Sequence, residues 1–330
     1  MPRHVITGGA GFTAKFLVDA LLSRDEEIVL FDLLPATQVP SSPLVRFVQG
    51  DVRKAADLKK IGLTQADTVY HLAARQFAGE VPGRSTRDAW FADVNVGGVE
   101  MLLKAMGDGG SSRLVFFSTD MTYGLPQVIP VPPTHPQNPL GPYGASKKQA
   151  ETLIRSAQAA GVSASVFRPR LIAGRGRLGV LTKLFWLIHK GLPVPLIGSG
   201  NNRYQMVSVR DCATVAVRAM ELNCPSGFFN LGSSNPPRSR DLLKALIAHA
   251  GSRSVLVPTP AAAVKAALGL LDVAGIPLMY PEQFGIADKD ILLDTASTTA
   301  TFSWSPSESD ETILRDAYDG YLATSSRTRS

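Results

Sequence analysis

The feature that most constrains the fold is a regular alternation of short β-branched runs with helical patterns through the first half of the chain. The runs predict strands at His4–Thr7, Ile28–Asp32, Arg46–Gln49, Thr68–Leu72, Leu114–Ser118 and Ala164–Arg168. Between them, apolar residues recur at helical spacing, as in Phe12, Phe16, Leu17, Ala20 and Leu21. This alternation predicts a parallel sheet covered by helices on both faces, which is a doubly wound α/β fold of the Rossmann type.

From about Arg170 onward, glycines and prolines interrupt the alternation, which predicts a smaller C-terminal lobe. At 330 residues the chain is long enough for two such units. We expect residues 1–170 to form the first domain, with 205–232 returning to it through strands at Gln205–Val209 and Phe228–Leu231. Residues 171–204 and 233–330 would then form the second lobe.

Charge and cysteine content exclude several classes of protein. The chain has 34 Lys+Arg and 28 Asp+Glu, a net charge of +6, with no basic helix or aromatic-interleaved basic patch, so we expect no nucleic-acid partner. Its two cysteines, Cys212 and Cys224, support neither a disulfide framework nor a zinc site, and we expect no metal.

Targeting signals are also not expected. The residues before the first strand leave no room for a secretory signal. The apolar stretch Ala261–Tyr280 is interrupted by Lys265, Asp272 and Pro277, so it predicts a packed or lid helix rather than a membrane span. Together with the cysteine content, this indicates a cytoplasmic protein.

A glycine-rich turn links the first strand to the first helix. Gly8 and Gly11 allow a tight turn and a close backbone approach, and the helix that opens at Phe12 aims its N-terminus at a pyrophosphate. The second strand ends in Asp32, whose carboxylate can accept from both ribose hydroxyls and would repel a 2′-phosphate. The strand, turn, helix and acidic residue together predict NAD as the cofactor.

Tyr143 and Lys147 stand at positions i and i+4 on one face of a predicted helix. A phenol with a pKa near about 10 is a poor base at neutral pH, but an adjacent ammonium favours the phenolate. The pair therefore predicts proton transfer, with Tyr143 as general base. This spacing alone is common on helix surfaces, and the upstream cofactor turn favours the catalytic interpretation.

In order along the chain, these motifs resemble the extended short-chain dehydrogenase/reductase family, in its NAD-dependent epimerase/dehydratase group. The resemblance runs from Val5 to about Tyr321 and combines UDP-glucose 4-epimerase-like with some 3β-hydroxysteroid dehydrogenase-like features. The matching segments are residues 7–12, 50–52, 71–74, 117–124, 143–147, 168–169, 209–211, 230–232 and 302–306. The third glycine of the cofactor turn is replaced by Ala14.

The resemblance implies an NAD-binding first domain, a substrate-binding C-terminal lobe and a catalytic set of Thr119, Tyr143 and Lys147. Together with the residues singled out above, the candidate NAD contacts are Gly8, Gly11, Phe12, Asp32, Asp51, Val52, Leu72, Ala73, Ala74, Asn95, Tyr143, Lys147 and Arg168. The candidate substrate contacts are Arg75, Asp120, Met121, Arg170, Arg175 and Arg203.

The resemblance further implies hydride transfer between a substrate carbinol carbon and the nicotinamide, with Tyr143 taking the hydroxyl proton and Thr119 orienting that hydroxyl. The leading hypothesis is an epimerase of a nucleoside-diphosphate sugar, acting at C4 through a transient 4-keto intermediate. A sugar-nucleotide dehydratase is less favoured, because Met121 stands where the 4,6-dehydratases carry a glutamate base.

Two departures keep an alternative open. Leu171 and Tyr204 replace an asparagine and an arginine that usually hold the sugar nucleotide, and Arg203 lies one residue early, on the opposite face of a strand. The alternative is an NAD-dependent dehydrogenase of a non-nucleotide secondary alcohol. A third class, a non-catalytic NAD-binding regulator, is disfavoured by the intact catalytic set.

Family members often form homodimers through two helices of each subunit, one of which carries the Tyr/Lys pair, so we expect a homodimer. The apolar positions that would permit this pairing are Val99, Leu103, Ala150, Leu153 and Ile154.

Overall fold

A seven-stranded parallel sheet forms the centre of the computed structural model, which describes residues 3–35, 39–77, 81–176, 179, 181–276 and 278–327. The strands are β1 (Arg3–Thr7), β2 (Glu27–Asp32), β3 (Val45–Gln49), β4 (Asp67–His71), β5 (Arg113–Phe117), β6 (Ser163–Pro169), β7 (Leu171–Ala173), β8 (Val194–Ile197), β9 (Met206–Ser208), β10 (Gly227–Leu231) and β11 (Leu256–Thr259). The order in the central sheet is β10-β6-β5-β4-β1-β2-β3, with all neighbours parallel.

Helices follow most of these strands. They are α1 (Phe12–Leu22), α2 (Ala55–Lys59), α3 (Arg87–Asn95), α4 (Gly97–Gly109), α5 (Pro142–Ala159), α6 (Leu181–His189), α7 (Val209–Glu221), α8 (Ser239–His249), α9 (Ala261–Val273), α10 (Pro281–Phe284), α11 (Ala296–Phe302) and α12 (Asp310–Arg327). A short 3-10 turn, Asp120–Thr122, follows β5.

The sheet is covered on both faces because successive strand residues point to opposite sides. Ile6 belongs to a buried cluster with Leu17 of α1 and Val215 of α7. Its neighbour Val5 belongs to a second cluster, which includes Ile154 of α5. The predicted doubly wound Rossmann architecture is confirmed.

The predicted return of two strands to the central sheet is right for one of them. β10 pairs with β6, but β9 pairs with β7 in a separate two-stranded sheet. The expectation that Gln205–Val209 joins the central sheet is therefore wrong, because β10 already occupies the free edge of β6. The helix after β9, α7, packs against α1, so the 205–232 segment does contact the first domain. The exact lobe boundaries stay a prediction.

The apolar stretch after residue 260 forms α9, in which Leu268 and Asp272 are buried while Leu270 and Val273 are exposed. A search of the described residues finds no helix with the length and apolar character that crossing a membrane requires.

Most of the helix residues proposed for dimerisation are buried in the core of the chain itself. Val99, Ala150 and Ile154 lie in the buried cluster on the α4 and α5 side of the sheet, and Leu103 and Leu153 are only partly buried. Only the latter two could contribute to a partner, and the homodimer stays a prediction.

Candidate active site

The candidate site lies where the parallel strands end, which is where α/β sheets bind ligands. The cofactor turn follows β1, the segment 72–74 follows β4, Thr119 follows β5 and Arg170 follows β6. Parallel strands deliver all four segments to one edge of the sheet.

The turn after β1 is shaped for close contact with a ligand. Gly8 has φ of 72°, and a Cβ there would lie 2.6 Å from the backbone N of Ala73. A Cβ on Gly11 would lie 2.9 Å from the carbonyl oxygen of Gly8. No side chain caps the N-terminus of α1, which begins at Phe12. A cradle that side chains would fill, together with an uncapped helix N-terminus, fits a pyrophosphate.

The third position of the glycine pattern is occupied by Ala14, and the fold accommodates its methyl group. Ala14 is fully buried in the cluster formed by α1 and the sheet. Close packing of the helix on the strand is therefore achieved with alanine, and the departure from the family pattern leaves the turn intact.

Asp32 closes the turn from the end of β2. Its carboxylate accepts hydrogen bonds from the backbone N–H of Ala10 and of Leu34, both at 2.9 Å. Each oxygen keeps a lone pair for a further donor. This placement beside the turn fits the predicted ribose contact.

Asp51 lies after β3, where the Arg53 guanidinium donates to it from Nε at 2.9 Å. These hydrogen bonds lower the pKa of the Asp51 carboxyl. Val52 is buried beneath α4, since a Cβ on Gly98 would lie 2.9 Å from its Cγ2. Asp51 is thus already paired, and its expected contact with NAD stays a prediction.

Asn95, at the end of α3, ties the segment after β4 to α5. Its Oδ1 accepts from the backbone N–H of Arg75 at 2.8 Å, and its Nδ2 donates to Ser146 Oγ at 3.0 Å. Asn95 thereby fixes the backbone that continues from Leu72, Ala73 and Ala74.

Tyr143 lies in the first turn of α5 and is 8% exposed. Its ring packs against Phe77 and Phe91, with centroids 5.7 and 5.6 Å apart. The phenol therefore sits in an apolar surrounding at the edge of the crevice.

Lys147, one turn later, is buried and its Nζ donates to the carbonyl oxygen of Phe117 at 2.7 Å. The same Nζ lies 4.4 Å from the ring centroid of Phe116. Burial lowers the pKa of this ammonium to about 7, although the Glu151 carboxylate opposes the shift. Its side chain is held in place on the inner side of α5.

Thr119 and the residue after it lead into a buried ionic cluster. The Thr119 hydroxyl accepts from the backbone N–H of Met121 at 3.3 Å. Asp120 accepts from Arg170 Nη1 at 2.6 Å, and the guanidinium carbon of Arg170 lies 4.1 Å from the ring centroid of Tyr204. Burial raises the pKa of the Asp120 carboxyl, while Arg170 opposes that shift. The structure thus brings Thr119, Asp120, Met121 and Arg170 together.

Arg168 lies near the end of β6 and forms a buried ion pair. Its Nε and Nη2 donate to the two carboxylate oxygens of Glu151 at 2.9 and 2.6 Å, and its Nη1 donates to the Tyr123 hydroxyl at 2.8 Å. The Arg168 guanidinium thus anchors α5 to β6, and the expected contact of this residue with the cofactor stays a prediction.

Two other candidate arginines form ion pairs with carboxylates other than Asp120. Arg75 pairs with Asp93 and lies over the Trp90 ring at 4.8 Å. Arg175 is 55% exposed and pairs with Asp316 of α12. Neither guanidinium pairs with Asp120, so the geometry does not support their predicted substrate contacts.

Arg203 and Tyr204 lie just before β9 and have different partners. Tyr204 packs on Arg170, whereas Arg203 pairs with Asp290 at 2.9 Å. Arg203 instead lines a separate cavity of about 320 Å³, together with Gln205 and Asn235.

Sequence reasoning missed Glu282, in α10. Its Oε1 and Oε2 accept the backbone N–H groups of Tyr143 and Gly144 at 2.9 and 3.0 Å. A Cβ on Gly141 would lie 2.4 Å from the Glu282 side chain. Burial raises the pKa of this carboxyl, although the two backbone N–H groups oppose the shift. No local pattern around residue 282 indicates this role, because the contact spans 139 residues.

The same segment contributes Tyr280, which stacks on Phe77 with centroids 4.3 Å apart. Phe77 in turn contacts Tyr143, so the C-terminal part of the chain reaches the catalytic helix through both an aromatic stack and a carboxylate. Among the residues described, no three His, Cys, Asp or Glu side chains are grouped to hold a metal ion.

Comparisons with known proteins agree with this geometry. The profile of the NAD dependent epimerase/dehydratase family matches residues 4–232. A UDP-glucose 4-epimerase of Streptococcus mutans is 29% identical over 270 residues, which cover 73% of this chain and 79% of that protein.

Two solved structures extend the similarity along almost the whole chain. The Thermus thermophilus UDP-glucose 4-epimerase, solved with NAD, has a TM-score of 0.74 at 26% identity and covers 97% of this chain and 99% of its own. The Thermotoga maritima UDP-glucose 4-epimerase, solved with UDP-glucose, has a TM-score of 0.78 at 24% identity and covers 98% and 99%. The latter likeness bears on the fold alone.

Proposed function

This chain belongs to the NAD-dependent epimerase/dehydratase family, and from that premise we propose that it is an NAD-dependent epimerase of a nucleoside-diphosphate sugar. The reaction would take place at C4 of the sugar, through a transient 4-keto intermediate. The observation that carries the proposal is that Lys147 of α5 donates to the carbonyl oxygen of Phe117, two residues before Thr119. This contact lies at the edge of the sheet that also bears the pyrophosphate cradle. The relatives named above support a sugar nucleotide as substrate.

In this proposal the bound cofactor supplies a hydride acceptor that returns the hydride to the substrate. Gly8, Gly11 and the start of α1 bind its pyrophosphate, and Asp32 binds its ribose. Thr119 orients the C4 hydroxyl of the sugar, and the Tyr143 phenolate takes the proton of that hydroxyl and later gives it back. The buried Lys147 favours the phenolate when it is charged.

The dehydratase remains the less favoured outcome. Met121 cannot act as a base, and the neighbouring Asp120 carboxylate is engaged by Arg170. A dehydratase needs both an acid and a base beside the sugar, and this position supplies one paired carboxyl.

A second candidate is an NAD-dependent dehydrogenase of a non-nucleotide secondary alcohol. It is favoured by the placement of Leu171 at the start of β7 and of Tyr204 over Arg170, at positions where the family uses an asparagine and an arginine. Arg175 and Arg203, which could have compensated, pair with surface carboxylates. This candidate predicts net release of NADH.

Proton NMR separates the epimerase from the dehydrogenase. The purified protein is incubated with NAD and a panel of UDP-, dTDP- and GDP-hexoses and uronic acids. A new anomeric signal that grows to a fixed ratio without NADH accumulation supports the epimerase. If every sugar stays unchanged, the epimerase proposal fails, and NADH formation with secondary alcohols then supports the dehydrogenase.

We also propose a cytoplasmic location and a homodimer. Cys212 and Cys224 are both buried, and two buried cysteines suit a reducing compartment. Light scattering after size-exclusion chromatography tests the homodimer, and a monomeric mass would overturn it.

A further inference from the structure

The outward side of α9 carries an apolar surface that neither the fold nor the candidate site uses. The exposed residues of the helix and of the residues after it are Ala262, Ala263, Ala266, Ala267, Leu270, Val273, Ala274, Gly275 and Ile276. Within the helix they recur at intervals of three and four, which places them on one face. Leu270 and Val273 are 71% and 66% exposed. An exposed apolar stripe of this kind marks an interaction surface.

Both charged residues of α9 are turned away from this stripe. Lys265 donates to Asp288 at 2.5 Å and to the carbonyl oxygen of Gly285 at 2.7 Å. Asp272 forms a buried ion pair with Arg87 at 2.9 Å. Since the charges are satisfied inside the protein, the outward side of the helix is left without polar side chains.

The apolar stripe continues onto α6. Lys183 of α6 donates from Nζ to the carbonyl oxygen of Leu278 at 3.0 Å, which brings the two segments together. Trp186, one turn after Lys183, is 47% exposed, and Leu278 is exposed as well. Exposed tryptophan beside aliphatic side chains is typical of the membrane-water boundary. We call Trp186, Leu270, Val273, Ile276 and Leu278 the apolar face.

The exposed charges on the chain segments that carry the apolar face are basic, and Asp288 is paired with Lys265 of α9. Residues 181–200 and 250–271 contain no Asp or Glu, whereas Lys183, Lys190 and Arg253 are exposed there. The carboxylates that follow, of Asp272 and Glu282, are buried in the contacts described above. A second copy docked by twofold symmetry would bring these basic residues against each other. An anionic lipid surface would complement them.

We propose that the apolar face docks on an anionic bilayer surface, with α9 lying in the plane of the headgroups. Its 13 residues are too few to span a bilayer, so the helix would lie on the surface. Because the same segment presents Tyr280 and Glu282 to the catalytic helix, docking would hold the substrate lobe beside the lipid. This proposal is independent of which sugar or alcohol the enzyme converts.

Flotation of the full chain with vesicles tests the proposal. The vesicles are phosphatidylcholine alone, or phosphatidylcholine with a quarter of phosphatidylglycerol, at ionic strengths of about 0.1 M and about 1 M. We expect binding to the anionic vesicles at low salt, and at least about tenfold weaker binding for Leu270→Glu. Leu222→Glu, on an exposed leucine after α7 in the first domain, is the matched control and should bind like the unmodified protein.

Three results would overturn the proposal. The first is no flotation with either vesicle, and the second is equal flotation with neutral and anionic vesicles. The third is a dimer in solution that Leu270→Glu converts to a monomer, which would assign the apolar face to a second copy of the chain. Circular dichroism of both variants checks that they fold.

Discussion

At the scale of single residues, the chemistry of the site depends on the protonation states of its buried titratable side chains. Lys147 and His71 are both buried close to the sheet edge, and burial lowers the pKa of Lys147 to about 7 and that of His71 to about 3. His71 is therefore neutral at physiological pH, whereas Lys147 titrates near neutral pH. A small change in the surroundings of Lys147 would therefore change its protonation state near neutral pH.

We expect Tyr143→Phe to lower kcat by about 10²–10⁴, because it removes the proton acceptor and keeps the ring between Phe77 and Phe91. The assay is turnover of the substrate identified by NMR, with NAD binding measured separately by calorimetry. NAD affinity should change little. Tyr318→Phe makes the same chemical change in a buried ring of the second lobe and should keep kcat. Turnover of Tyr143→Phe within about threefold of the unmodified enzyme would rule out the general base.

The buried Lys147 also predicts a pH-dependent stability. Its pKa is lowered in the folded state, from 10.5 to about 7, so between these values the unfolded chain binds the extra proton. Its contribution to the free energy of unfolding should therefore be most unfavourable below about pH 7. It should become less so as the pH rises toward 10.5, by at most about 1.4 kcal/mol per pH unit.

Urea unfolding of Lys147→Met measures this contribution. The variant should be stabilised relative to the unmodified protein near pH 7, and the difference should shrink as the pH rises. Lys148→Met, at the neighbouring exposed lysine, is the control and should show no such trend. A pH-independent difference for Lys147→Met would contradict a lowered pKa.

At the scale of elements, α5 is the part of the structure on which the site depends most. Its inner face is anchored by the bidentate pairing of Arg168 with Glu151, and its N-terminus is capped by Glu282 from α10. The first contact joins α5 to the neighbouring strand, and the second joins it to the C-terminal part of the chain. The orientation of Tyr143 thus depends on both halves of the molecule.

We expect Glu282→Ala to lower kcat by about tenfold while NAD affinity is unchanged, because the first turn of α5 loses both acceptors. Glu282→Gln keeps one amide oxygen as acceptor and should retain more activity. Steady-state kinetics and NAD calorimetry on both variants provide the test.

Asp310→Ala is the control for a purely structural loss. Asp310 is also a buried carboxylate that accepts a backbone N–H, that of Met206 at 2.7 Å. Its loss should lower Tm and leave kcat within about twofold. Equal losses of kcat in the Asp310 and Glu282 variants would show that Glu282 has no specific positioning role.

At the scale of the whole molecule, a buried ion pair between Arg87 of α3 and Asp272 of α9 joins segments 185 residues apart. The Arg87 guanidinium also lies 4.8 Å from the ring centroid of Tyr280. The pair therefore holds the segment that carries Tyr280 and Glu282 against the first domain.

Removing one member of this pair leaves a buried charge without its partner. We expect Arg87→Met or Asp272→Leu to lower the free energy of unfolding by about 3–5 kcal/mol, and the double variant to lose less than the sum. Urea denaturation of the four proteins in a double-mutant cycle measures this coupling. Additive losses would show that the pair does not couple α3 to α9.

Local patterns predicted most of the first domain. The glycine turn, the strand ending in Asp32 and the helix with Tyr143 and Lys147 are recognisable because each depends on residues close together in sequence. The same reasoning placed β9 in the wrong sheet, since strand partners are chosen by which edges are free. The resemblance also implied four arginines as substrate contacts, and of these Arg170 lies beside Asp120.

The sequence by itself determined the doubly wound sheet, the glycine-rich turn and the order of the candidate catalytic residues, because turn geometry and residue periodicity act over a few neighbours. Only the tertiary structure decided that Arg168 pairs with Glu151, that Tyr204 covers Arg170 and that Glu282 caps the catalytic helix. Those pairings join distant parts of the chain, and buried charges take whichever partner the packed fold brings within hydrogen-bond distance.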